Sequence, residues 1–137
     1  MKSILQSALL YACVTKMQKI DERTLEVIRS YIYTFWLLQF SAAPTDKELD
    51  ARVVSYDLWI LTLETLRESK GWSNQHSIIA ENFLKESYLI SIECVERFSK
   101  ITTVPINLAD AKTAISDVYQ ERNHVFGNLL TWEFSTV

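Results

Sequence analysis

Apolar residues recur along this chain at three- and four-residue intervals, interrupted at a few sharply marked places, and the pattern predicts helices throughout. The first segment spans Ser3 to Gln18, with Ile4, Ala8, Tyr11 and Thr15 on one line and Leu5, Leu9 and Ala12 beside it. Asp21 is placed to cap a second helix bearing Leu25, Ile28, Ile32 and Phe35, which continues to about Ser41 before Pro44 stops it. Its middle, YIYTFWLLQF, is apolar on nearly all sides, which predicts a central position in a bundle.

Thr45 and Glu48 have the T-x-x-E spacing of a capping box, so a third helix is expected to start at Asp46, bury Leu49, Val53, Tyr56, Ile60 and Leu63, and end at Gly71. A fourth runs from Ser77 to Lys100, ended by TTVPIN around Pro105. Asn107 then caps a fifth, with Asp110 in its first turn, where the helix dipole favours negative charge. Along it Leu108, Ala111, Ile115, Val118, Arg122, Val125, Leu129 and Trp132 form an apolar seam interrupted by Arg122. Gly127 marks a kink or close contact, or the helix end with NLLTWEF as an extended tail. The connections are short, so sequential helices should pack antiparallel, up and down. The expected fold is all-α, a single domain over 1–137 made of about five antiparallel helices.

Composition narrows the alternatives. Glycine and proline number two each, against about 16 together at average usage for this length, which leaves too few turns for most all-β folds. The longest charge-free run, Ser30 to Thr45, is shorter than the roughly 20 apolar residues of a membrane span and holds polar residues and a proline. The N-terminus has Thr15, Lys16 and Gln18 where a signal peptide needs a small-residue cleavage site. Cys13 and Cys94 lack CxxC or Cys/His spacing, so both read as buried thiols in a reducing cytoplasm. A net charge of −3 with dispersed lysines and arginines argues against nucleic acid and for a basic partner or plain solubility.

Candidate chemistry concentrates in QERNHVFG, residues 120–127. Glu121 and His124 make one Glu-x-x-His pair, where a ferritin-like di-metal site needs two such pairs and two further glutamates. Arg122 in the apolar seam needs a carboxylate or a route to water. Neither cysteine has the surroundings of a nucleophile, and Gly71 and Gly127 stand alone, without a phosphate-cradling loop. No cofactor, metal or catalytic residue is expected from these patterns.

The letters ERNHVFG resemble the motif of helical HEPN ribonucleases, an Arg often followed by Asn with a His after four to six intervening residues. Arg122 and Asn123 match, while His124 stands too close, and Gly127, Asn128 and Leu129 occupy the motif's His positions. That resemblance implies an RNase or RNA-binding dimer using Arg122 and His124. The two helix pairs, residues 2–33 and 85–119, also resemble the repeated pairs of tellurite-resistance TerB-like domains. Met17-Gln18-Lys19 stands where that family has its metal-linked acidic connector, and only Ile20-Asp21-Glu22 and Glu26 match loosely.

On the third predicted helix, Asp46, Asp50, Asp57, Glu64 and Glu68 fall within a sector of roughly 40°, a ridge about 33 Å long. Lys47, Arg52, Arg67 and Lys70 project elsewhere. Such a ridge is either a solvated face or a docking surface for a basic protein, with Trp59, Trp72 and Tyr56 as candidate anchors. A small acidic helical bundle without catalytic residues is similar in type to bacterial immunity proteins, which neutralise cationic toxin nucleases. The resemblance implies a cytoplasmic, non-enzymatic monomer or homodimer that binds protein through Asp46, Asp50, Asp57, Glu64, Glu68, Trp59 and Trp72. An assembly subunit of a larger complex is the further alternative.

Overall fold

The computed structural model describes residues 21–68 and 77–135, and of 63, 65–68, 77–81 and 122–135 the backbone only. Four helices and no strand occur among the described residues: α1 (Glu22–Ala42), α2 (Ala51–Glu68), α3 (Ser77–Ile101) and α4 (Leu108–Ser135). The all-α expectation holds. The predicted first helix, Ser3 to Gln18, lies outside the described residues, so the count of about five does not follow from them. No described helix is long and apolar enough to cross a membrane.

The helix ends show how local chemistry sets the boundaries. Asp21 caps α1 by accepting the Thr24 N–H at 2.8 Å, which satisfies an amide with no partner inside the helix. Ala43 ends it in extended geometry, as the residue before Pro44 must, and still donates to the Gln39 carbonyl. Asn107 Oδ1 accepts the Asp110 N–H at 3.1 Å and starts α4 as expected. The helix passes through Gly127 to Ser135, so Gly127 neither ends it nor begins an extended tail.

The start of α2 departs from expectation. Thr45 to Lys47 form a turn, and the helix begins at Ala51 with Asp50 as its cap, its Oδ1 accepting the Arg52 and Val53 N–H groups at 3.1 and 3.4 Å. The glutamate of the supposed capping box, Glu48, instead accepts the Asn107 N–H at 3.3 Å, while the Leu49 N–H donates to the Pro105 carbonyl at 3.0 Å. Two lead-in segments thus pair, holding residues 48–50 outside the helix where local spacing alone favoured it. Replacing Asp50 by alanine is expected to cost about 1 kcal/mol in urea denaturation, with serine recovering most of it.

The packing order is α1 on α3, α3 on α4, and α4 on α2, with only slight contact between α1 and α2. α3 and α4 are antiparallel, shown by the Glu96–Lys112 ion pair at 2.7 Å and the stacked Tyr88 and Tyr119 rings farther along. α2 and α4, starting side by side at the paired lead-ins, run parallel. The expected packing of sequential neighbours fails for α2 and α3, which share little contact among the described residues. Side-chain complementarity across the bundle, which short connections do not dictate, decides the order.

The core contains Ile28, Tyr31, Ile32, Trp36 and Phe40 of α1, Phe83, Leu84, Ile90, Cys94, Val95 and Phe98 of α3, and Ala111 and Ile115 of α4. Val118 is buried too, so the predicted α4 seam is real through that residue. α1, however, is not central: Leu37 and Leu38 are 50% and 58% exposed. Among the described residues its principal neighbour is α3, and these two leucines face water.

Candidate partner-binding face

Among the described side chains of α2 the buried ones are Ala51, Val54, Ser55, Leu58 and Thr62. Val53 and Ile60, expected inside, are 53% and 46% exposed. The buried face is therefore rotated from the predicted one. Ala51, Ser55 and Thr62, smaller than Val53 and Ile60, share that buried face with Val54 and Leu58.

This rotation redefines the acidic ridge. Asp57 and Glu64 are exposed, and at ~100° per residue Val53, Asp57, Ile60 and Glu64 share a sector of about 60°. They form one stripe of alternating apolar and acidic side chains facing water. Asp46 and Asp50 are also exposed but precede the helix, the first in the turn and the second as its cap, so neither continues the helical ridge. Glu68 ends α2 with its side chain outside the described residues, and Trp72 lies outside them entirely.

Trp59 does not stand with the acids. It is half-buried, packed against the core and turned toward α3 and α4. Tyr56 is likewise committed: its hydroxyl donates to Glu121 Oε2 at 2.8 Å, and Arg52 Nη2 reaches both Glu121 oxygens at 2.9 and 3.0 Å. The Arg52 guanidinium also lies 5.3 Å from the Tyr56 ring centre. Hydrogen bonding to Glu121 raises the Arg52 pKa. This knot clamps α2 to α4 along the flank of the stripe and engages Arg52 with Glu121. Among the described residues, no lysine or arginine forms an ion pair with Asp57 or Glu64.

The other candidate chemistries can be placed in part. Glu121, half of the Glu-x-x-His pair, is engaged by Arg52 and Tyr56, while the side chains of Arg122 and His124 lie outside the described residues. No cluster of three metal-ligating side chains occurs among the described residues. Cys94 is fully buried and burial pushes its thiol up to about 12, the opposite of what a nucleophile needs. Cys13 is outside the described residues.

Sequence reasoning missed the two apolar members of the stripe, yet a signal was present. Val53 and Ile60 project at nearly the same helical angles as Asp57 and Glu64, so these four could not occupy opposite faces of one helix. No protein-family model, no curated protein and no solved structure matches this chain.

Proposed function

We propose that this protein is a non-enzymatic binding module that captures a cationic protein domain on the outward face of α2, in the manner of an immunity-type inhibitor of a basic toxin nuclease. The supporting observation is the Val53–Asp57–Ile60–Glu64 stripe. Its acids are exposed and left unneutralised by the described lysines and arginines. A carboxylate row steers a positively charged partner and discriminates against wrong ones, while adjacent apolar groups add burial once contact is made. Neither element alone favours a protein partner as strongly as the two together.

The test uses the full chain and the Asp57→Lys/Glu64→Lys double variant as baits, followed by reconstitution of a binary complex from purified components. The partner is expected to be cationic. Association should slow steeply between about 50 and 500 mM salt, and the double variant should associate at least about tenfold more slowly with unchanged circular dichroism. A partner that binds both chains at equal rates overturns the reading. So does RNA cleavage by the purified chain that Arg122→Ala and His124→Ala abolish.

A second reading, an assembly subunit, is favoured by the exposed Leu37 and Leu38 on α1. It expects a solution mass of two or more copies that falls to one copy in Leu37→Lys/Leu38→Lys. A single-copy mass for the unaltered chain at high micromolar concentration excludes self-assembly through this face.

A further inference from the structure

Between α2, α3 and α4 lies a half-open cavity of about 40 Å³ whose lining includes Ser55, Leu58, Trp59, Leu84, Ile115 and Val118. The polar side chains around it are mostly spoken for. Thr62 and Ser87 donate back to carbonyls of their own helices, Leu58 O and Phe83 O, both at 2.9 Å, and Ser91 accepts the Trp36 indole N–H at 3.0 Å. Ser55 is the exception. It is 7% exposed, and its hydroxyl has no hydrogen-bond partner among the described residues.

A serine in a helix can return its proton to the carbonyl four residues back, as Ser87 does, so Ser55 is not forced into this state by its backbone. An unmet hydroxyl at an apolar cavity is costly when the space is empty and favourable when something polar enters. The volume admits about three or four non-hydrogen atoms, on the scale of ~10–15 Å³ for each water-sized unit. Mostly hydrocarbon walls favour a carbon skeleton over a water cluster, because water needs two to four polar partners. The stacked Tyr88 and Tyr119 rings, 4.8 Å apart, also line the cavity and supply flat apolar surface.

We infer that this cavity binds the hydroxyl-bearing end of a small neutral aliphatic molecule, with Ser55 Oγ as its hydrogen-bonding partner and its hydrocarbon lying against the Leu58, Ile115 and Val118 side chains. The site is separate from the acidic stripe on the opposite side of α2 and does not depend on the docking role proposed for it. The occupant is uncharged, since no ionised side chain is among the described lining residues.

1-Propanol serves as the probe and 1-chloropropane as its counterpart without a hydroxyl, each titrated into the full-length protein while amide and indole resonances are followed by NMR. Saturable shifts confined to Ser55, the Trp59 indole, Ile115 and Val118 are expected for 1-propanol, with a dissociation constant on the order of millimolar for so small a ligand. Ser55→Ala should weaken 1-propanol about three- to tenfold and leave 1-chloropropane unchanged, while Ser55→Val, filling the space, should abolish both. Should Ser55→Val fail to fold, the alanine comparison decides alone. Shifts that stay linear and scatter over the surface, equal 1-propanol affinity in Ser55→Ala, or water contacts at Ser55 that 1-propanol does not displace each overturn the proposal.

Discussion

Replacing Trp36 with alanine is expected to destabilise the protein by about 3–5 kcal/mol, a large share of the roughly 5–15 kcal/mol that holds a domain of this kind folded. Trp36 is 0% exposed, lies 6.5 Å from the Phe40 ring, and donates its indole N–H to Ser91 across the α1–α3 contact. Truncation loses both the buried ring and the polar link. Ser91→Ala alone should cost about 1–3 kcal/mol, because it strands a buried N–H. In the Trp36→Ala background the same change should cost far less, since no N–H remains to be stranded. Urea denaturation of the four chains closes this cycle. A loss below about 1 kcal/mol for Trp36→Ala would show that α1 does not seat on α3 through this ring.

The second large effect concerns Cys94. Burial, then the neighbouring Glu93 charge, lifts its thiol from 9.0 to about 12, with Arg29 and Arg97 opposing. In a Cys13→Ser background, alkylation of the native protein at pH 8 should be slower than that of the unfolded chain by on the order of 10³, from the thiolate fraction alone. Labelling would then track unfolding. Labelling of the native chain at the rate of a free thiol would place Cys94 at the surface.

The same shift makes stability fall in alkali. A folded-state value above the unfolded one means the folded chain holds its proton longer, so the stabilisation is complete below pH 9 and is lost as pH rises toward about 12. Tyr31 acts in the same direction, burial raising it from 10.0 to about 12. Each such group steepens the loss by up to about 1.4 kcal/mol per pH unit within its window. Urea midpoints measured from pH 8 to 11 should decline, and Cys94→Ala should flatten the earlier part of that decline. An unchanged slope in Cys94→Ala would assign the alkaline loss to other groups.

The features that could be read in advance are those decided within a turn or two of chain. Asp21 and Asn107 cap their helices because a short side chain reaches an amide three residues on, wherever the helix sits. Ala111, Ile115 and Val118 bury together because their spacing places them on one line. The acidity of α2 was equally legible, since Asp57 and Glu64 sit on one face by periodicity alone.

Tertiary structure decided the rest. It began α2 at Ala51, because Leu49 and Glu48 found partners at Pro105 and Asn107, far along the chain. Trp59 was turned inward and Tyr56 toward Glu121, so neither stands beside the acids as the anchor expected. Ala51, Ser55 and Thr62 were buried in place of Val53 and Ile60. Sequence periodicity reports which residues share a side of a helix, a property of the helix alone. Which side meets a neighbour depends on how its side chains fit the facing helices, and on α2 the side that carries Val54 and Leu58 is the one turned inward.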